Sequence, residues 1–361
     1  MGIIVDEMPE LQLLVFGDQT ETAIPMDELI QYSHKSKYIS QYLQNSFDAV
    51  QHVLDSLSDT ERERLKFDSF QSLAERVKLD KTPDIVLRTL ILCVAQLGSL
   101  ITTLENDSDL RNSWASQNIM IVASCAGQVP AAAAATTHSI DDLVAVAPEI
   151  VAISLRVGLD VDRRSAALSN DRAGSWARAV IGISGADAQA SIEEFHKTQG
   201  TPESKVPYVG ATSAWATTIF GPPSTLESFL SSKPFGTSRI IELPVAAVFH
   251  ASSLDRPDTA KITGTASILQ KFWLKDVCFL SSEDGVAFKP QRLDNLVSEA
   301  ELNMLNRMTD NEKVFNAVKL RIKDKQVAIT PIVATKVSER LKKALGEINA
   351  TVRTEILVGG L

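Results

Sequence analysis

Cys125 is the residue of this chain best placed to do chemistry. It lies in the run Asn118-Ile-Met-Ile-Val-Ala-Ser-Cys-Ala-Gly-Gln-Val-Pro-Ala-Ala-Ala-Ala-Ala135. The first part is apolar and β-branched, as in a buried strand. The last part is mostly alanine, the best helix former. Between them Ala123-Ser-Cys-Ala-Gly127 is a cysteine version of the nucleophile elbow, a strand-to-helix turn so crowded that the residues two before and two after the nucleophile must be small. Ala123 and Gly127 meet that demand. Such a turn lifts the thiol to the top of a sheet and aims it at a helix N-terminus, whose positive dipole end is expected to favour thiolate. It also leaves the backbone N–H of Ala126 to hold a developing oxyanion. The competing reading is a small buried hydrophobe, the ordinary state of a free cysteine.

A cysteine nucleophile needs a base, most often histidine. Of the five histidines, His34, His52 and His196 lie in polar helical stretches and read as surface groups, and His138 stands at a helix entry beside Ser139. His250 ends the apolar run Leu243-Pro-Val-Ala-Ala-Val-Phe-His250, where one part of the chain rejoins another, a position that faces a cleft. Its alternative is a half-buried structural histidine.

The elements that must position this pair read as an α/β fold. Leu11 to Gly17 is a strand ending in a turn at Gly17-Asp-Gln-Thr20. Helices are expected around 26–55, 60–77 and 83–104, the last begun by Thr82 as N-cap, Pro83 and Asp84. Ser139-Ile-Asp-Asp142 opens another helix, which Pro148 is expected to kink or delay. From Ser175 to Val245 the rhythm changes. Strands at 176–183, 206–212, 214–220 and 239–245 alternate with helices capped at Ser184 and by a capping box at Ser224-Thr-Leu-Glu227. That β-α-β-β-α-β order is ferredoxin-like. The expected division is therefore a body of residues 1–174 and 246–361 with a small subdomain, 175–245, inserted in it.

Composition narrows the class. The chain has 361 residues, enough for a large core, and a net charge of -9, which argues against general nucleic-acid binding. Cys93, Cys125 and Cys278 form no zinc or disulfide pattern, so free thiols in a reducing cytoplasmic setting are expected. Asp6, Glu7 and Glu10 do not fit a signal peptide, and Met1-Gly2 lacks the Ser or Thr that myristoylation needs. The apolar stretch 85–104 contains Arg88 and Gln96 and reads as a buried helix rather than a membrane span. No metal site is expected. Val358-Gly-Gly-Leu361 reads as the start of a linker.

Several short motifs, taken together in order and spacing, carry a resemblance. Phe16-Gly-Asp-Gln-Thr20, Cys93-Val-Ala-Gln-Leu-Gly98, the Cys125 elbow, Leu155-Arg-Val-Gly158, Gly221-Pro-Pro-Ser-Thr-Leu226 and Phe249-His-Ala251 recur in place. With these the chain resembles, over nearly its whole length, the starter-unit acyl-carrier-protein transacylase (SAT) domain of fungal non-reducing polyketide synthases. That family is similar to malonyl-CoA:carrier-protein transacylases, which implies an α/β-hydrolase-like body with a ferredoxin-like insert. The resemblance implies ping-pong acyl transfer from acyl-CoA, or from a donor fatty-acid synthase or carrier protein, to the phosphopantetheine of an acyl carrier protein. In it Cys125 is nucleophile, His250 is base, and the N–H groups of Gln19 and Ala126 form the oxyanion hole. No resident cofactor is implied, and the partners are the carrier protein and neighbouring domains of the same synthase.

Two departures stand out. The elbow's first glycine is Ala123. The region 144–153, where malonyl-specific relatives carry a carboxylate-binding arginine, has none, and Arg156 is nearest. An uncharged acyl group such as acetyl or a short alkyl chain is therefore expected. Arg163 and Arg164, with Arg172 and Arg178, form the densest basic region and the candidate docking patch for an acidic carrier. The alternatives are an editing thioesterase using the same dyad and a catalytically silent docking module.

Overall fold

A computed structural model describes residues 11–80, 84–169, 174–323, 325–346 and 350–352. The chain enters through β1 (Leu11–Phe16), followed by α1 (Met26–Ser33), α2 (Lys37–Asp55), α3 (Asp59–Leu65), α4 (Phe70–Leu79), α5 (Ile85–Asn106) and α6 (Ser108–Ala115). The helices expected over 26–55 and 60–77 are each two. Ser36 and Ser69 interrupt them, because each hydroxyl accepts the N–H three residues on, from Ile39 (3.2 Å) and Ser72 (3.1 Å), and so starts a new helix. Asp84 caps α5 by accepting from Val86 N–H (2.9 Å). Thr82 and Pro83 lie outside the described residues, as do the N-terminal acids, Arg172 and 358–361. Helix α5 is long and apolar enough to cross a membrane, but 89% of its apolar window is buried inside the protein, packed against later helices.

Next come β2 (Ile119–Ala123), a single 3-10 turn (Cys125–Gly127), α7 (Gln128–Thr136) and α8 (Ile140–Leu168). Ser139 caps α8 as expected, accepting from Asp142 N–H (3.1 Å). Pro148 neither ends nor delays it, since α8 runs through that position. Val146, Ala147, Ile150 and Val151 beside it are fully buried, and their packing outweighs one lost helical hydrogen bond.

The changed rhythm after 175 becomes β3 (Ala177–Ile181), α9 (Gly185–Gln199), β4 (Tyr208–Thr212), β5 (Ala216–Phe220), α10 (Pro223–Ser231) and β6 (Ile240–Glu242). Helix α10 begins with Pro223 at its first turn and carries no side-chain cap, so the capping box at Ser224 does not form. Proline's fixed φ starts the helix two residues earlier, with Pro222 in the cap position. The rest of the chain forms α11 (Thr259–Thr263), β7 (Trp273–Leu274), β8 (Cys278–Phe279), β9 (Gln291–Arg292), α12 (Leu293–Leu305), β10 (Thr309–Asp310), α13 (Asn311–Ile322), β11 (Val327–Ile332), α14 (Thr335–Leu345) and β12 (Ala350–Val352).

Among the described residues the strands make two five-stranded sheets and a two-stranded pair of β7 and β9. One is parallel, in the order β12-β11-β1-β2-β8. Its central strands are apolar on both faces, as burial between helical layers requires. Leu14, Phe16, Ile119, Ile121 and Ala123 face the larger core with α5, α7 and α8, while Leu13, Val15, Met120 and Val122 face a second core under α13 and α14. The other sheet, β10-β4-β5-β3-β6, has the ferredoxin-like strand order in β3 to β6 and is extended by β10. It has its own small core around Ile192, Phe195, Leu226 and Phe229.

Candidate active site

The elbow forms as the residue sizes require. Ser124 N–H donates to Phe16 O (3.1 Å), so the end of β2 is held beside β1 and the chain must turn at once. Cys125 takes φ of 45°, a left-handed conformation costly for a residue with a side chain and typical of strained functional turns. A Cβ on Gly127 would stand 2.3 Å from Gly17 O, so only glycine lets α7 start so close to the loop after β1. The Ala123 methyl is buried in the main core.

His250 also has positive φ, 55°. Its main-chain N–H donates to Met304 O (2.9 Å), and its Nδ1 lies 3.1 Å from Asn303 O and 3.0 Å from Arg307 O. Carbonyl oxygens only accept, so Nδ1 carries the proton and Nε2 is left as the basic nitrogen. The orienting group is thus backbone at the end of α12, not an acid. Asn303 is fixed in turn, donating to Gln128 Oε1 (3.1 Å) and Ser281 Oγ (3.2 Å), while Gln128 donates to Ser282 Oγ (2.7 Å). Gln128 is three residues after Cys125, so one buried amide chain ties the elbow to the support of the imidazole.

Cys125 and His250 line one cavity of ≈ 260 Å³ between the parallel sheet's upper edge and the antiparallel sheet. Apolar side chains of β3, β5 and β6 form its far wall, among them Ile181, Phe220 and Ile241. Gly210 allows the close approach, since a Cβ there would stand 2.5 Å from the Phe220 ring and 3.3 Å from His250 Cβ. His34 and His52 are exposed, and His138 and His196 half-buried, away from this cavity.

Gln19 also lines the cavity, in a loop gripped from behind. Arg88 donates to Gln19 O (2.9 Å) and Glu21 O (2.6 Å), Gln96 to Gly17 O (2.9 Å), and the Lys336 ammonium to Thr20 O. With those carbonyls engaged outward, the loop is rigid where it faces the thiol. Ala126 N–H lies against the Cys125 sulfur.

The ionisation state differs from the sequence expectation. Burial pushes the Cys125 thiol well above its usual range, the Asp18 carboxylate pushes it further, and the Ala126 N–H offsets little. A helix N-terminus does not outweigh the loss of water here. Burial likewise holds His250 below the usual imidazole range, against the pull of its two carbonyl partners and Asp18. The resting pair is therefore neutral thiol and neutral imidazole, suited to proton transfer during attack rather than before it.

The described arginines of the expected docking patch, Arg163, Arg164 and Arg178, are individually engaged. Arg163 pairs with Glu61 (2.9 Å), Arg164 donates to Asp255 O (2.7 Å) near Asp160, and Arg178 is buried against Glu242 (2.8 Å). Arg156 is bound to Glu149 (2.5 Å) and to Ile262 O (2.6 Å), and it does not line the cavity. Asp18, Arg340, Asn303 and Gln128 were not singled out as site residues. Only the Phe16-Gly-Asp-Gln-Thr20 motif offered a signal, for Asp18.

A parallel sheet between helical layers carries a strained cysteine elbow, and the cysteine shares one cavity with a histidine beside a ferredoxin-like subdomain. Solved acyltransferases share this fold. The malonyl CoA-acyl carrier protein transacylase of Coxiella burnetii superposes with a TM-score of 0.66 at 13% identity, covering 98% of this chain and 96% of that one. The loading acyltransferase from the avermectin modular polyketide synthase gives 0.56 at 14% identity over 94% and 92%. Residues 14–250 match the family "Starter unit:ACP transacylase in aflatoxin biosynthesis" (SAT), and the chain belongs to it. Its relatives include the non-reducing polyketide synthase crz7 of Cladonia metacorallifera, 33% identical over 92% of this chain but only 16% of that protein. The Ascochitine biosynthesis cluster protein 8 of Didymella fabae is 27% identical over 82% of this chain and 79% of its own length.

Proposed function

We propose that this acyltransferase loads a starter acyl group from acyl-CoA, or from a donor carrier protein, onto Cys125 and passes it to the phosphopantetheine thiol of an acyl carrier protein. The observation that carries the reading is the shared cavity of a Cys125 held in a strained turn and a His250 whose Nδ1 is committed to two backbone carbonyls. In the first half-reaction His250 Nε2 takes the thiol proton as the sulfur attacks the thioester carbonyl. The oxyanion that forms is held by the N–H groups of Gln19 and Ala126. Collapse breaks the bond to the coenzyme A sulfur, which leaves with the proton from His250. In the second half the carrier's thiol gives its proton to His250 and attacks the acyl-cysteine, and Cys125 recovers its proton. The neutral resting pair suits both halves, because each begins and ends with an un-ionised thiol.

The acyl group is an uncharged one, acetyl or a short alkyl chain, since the far wall is apolar and Arg156 is committed elsewhere. The test is intact-protein mass spectrometry after exposure to a panel of acyl-CoAs, followed by addition of a carrier protein. The expected result is one acyl adduct on the wild type, none on Cys125→Ala, slow formation with His250→Ala, and discharge to the carrier rather than to water. Equal labelling of Cys125→Ala would end the proposal.

A further inference from the structure

Among the described residues lining the cavity, Asp18 is the one acid and Arg340 the one arginine or lysine. Asp18 is built in. Its Oδ1 accepts from Thr20 N–H (2.8 Å) and Thr20 Oγ (2.5 Å), and its Oδ2 accepts from Ser124 Oγ (3.1 Å), the residue before the nucleophile. Burial pushes its carboxyl up, but Arg340 from α14 and the Thr20 and Ser124 donors together hold it below the usual carboxylate value. The other charged or titratable groups that feel it are Arg88 from α5, Glu21 in its own loop, Cys125 and His250. So the cavity contains an anion beside the thiol, and Arg340, its one lining arginine, lies within electrostatic reach of that anion while its Nε donates to Lys336 O (3.2 Å).

We infer that Asp18 is a specificity-determining residue of acyl loading: its negative charge in the cavity wall turns away acyl groups that carry a free carboxylate, and it offsets the charge of Arg340, the one lining cation available to hold them. This rests on the loading reaction proposed above and adds its basis of selection. Like charges in a cleft with little water repel strongly, whereas an alkyl acyl group feels no such penalty. The absence of a carboxylate clamp would make a malonyl group a poor ligand, and the anion makes it an excluded one. Asp18→Asn isolates the charge. Its amide oxygen still accepts from Thr20 and its amide nitrogen donates to Ser124 Oγ, so the hydrogen bonds survive while the charge opposing Arg340 is removed.

The test compares wild type, Asp18→Asn, Arg340→Gln and the double variant, each exposed to hexanoyl-CoA or malonyl-CoA with loading followed by intact mass. Asp18→Asn is expected to raise the ratio of malonyl to hexanoyl loading by at least about tenfold, equivalent to about 1.4 kcal/mol. The double variant is expected to lose most of that gain, and Arg340→Gln alone to stay at or below the wild-type ratio. An unchanged ratio in Asp18→Asn, or a raised one in Arg340→Gln, overturns the inference. A second readout needs no acyl donor: the rate of Cys125 alkylation by iodoacetamide across about pH 7–9, which follows the small thiolate fraction. Removing the anion is expected to raise that rate at each pH, and an unchanged rate also overturns the inference. A wild type that takes up neither acyl group would count against the loading reaction itself, while the alkylation profile would still report on Asp18.

Discussion

Truncating Gln128 separates positioning from bulk stability. The residue is fully buried, and Gln128→Ala removes two hydrogen bonds, one to Ser282 (2.7 Å) and one from Asn303 (3.1 Å). Each is worth about 1 kcal/mol net, and the unsatisfied groups left behind add about 1–3 kcal/mol, so a loss of about 3–5 kcal/mol in urea unfolding is expected. The catalytic consequence is distinct, because Asn303 O is one of the two acceptors that hold His250 Nδ1. An imidazole displaced by a fraction of an ångström abstracts a proton poorly, so kcat for acyl loading is expected to fall about 10–100-fold with KM little changed. The pH profile of kcat is expected to move as well, since the carbonyl contacts support the imidazolium that forms in the reaction. The cycle of Gln128→Ala, Asn303→Ala and the double variant is expected to give a coupling of about 1 kcal/mol. A coupling indistinguishable from zero, or a destabilised protein with unaltered kcat and pH profile, would refute the claim that this amide chain positions the base.

Other expectations follow from single contacts. Gly127→Ala puts a methyl 2.3 Å from Gly17 O, so it should cost about 1–3 kcal/mol or more and depress loading, measured by urea unfolding and intact mass. Ala123→Gly, which restores the elbow's usual glycine, should cost about 0.5–1 kcal/mol of stability without speeding loading. A clear acceleration would show that the methyl strains the turn. Arg156→Ala, which loses its pairs with Glu149 and Ile262 O, should destabilise the chain yet leave the malonyl-to-hexanoyl ratio unchanged, and a shifted ratio would make Arg156 part of the acyl site. Glu301 supplies a pH signature. It is fully buried, Thr263 donates to its Oε1 (3.0 Å), and burial raises its carboxyl from 4.5 to about 8. The folded chain then keeps a proton that the unfolded chain releases, so this contribution is complete below pH 4.5 and is lost as pH rises towards 8. Glu301→Gln should therefore gain stability over wild type progressively across that window, and a difference that does not grow with pH would refute the assignment.

What the sequence disclosed depended on how local the physics was. The elbow was legible because its crowding acts between neighbours, so Ala123, Cys125 and Gly127 carry the whole constraint within five residues. Strands β1 and β2 and the four strands of the inserted subdomain were legible because burial writes apolar runs and turns directly into the chain, whereas β8, β10, β11 and β12, which complete the two sheets, were not. Helix ends were read less well: Ser36 breaks a helix in favour of a cap, while Pro148 leaves one intact because the packing on either side exceeds the penalty. His250 was legible as a position, at the return from the inserted strands, but its support was not. Gln128 and Asn303 are 175 residues apart, and a buried amide in a helix leaves no periodic trace.

The thiol's charge was misjudged for the same reason. A helix dipole is visible in the sequence, whereas burial and a carboxylate brought in from the loop after β1, 106 residues from Ser124, exist only once the chain has folded. That correction changes the chemistry. A standing thiolate would attack any electrophile that entered. In the proposed reaction, a neutral thiol beside a neutral imidazole attacks only when a thioester lies where His250 can take the proton and the two N–H groups can take the oxyanion. Selectivity in that reaction resides in the transition state, where the Asp18 carboxylate and the amide chain behind His250 are both proposed to act.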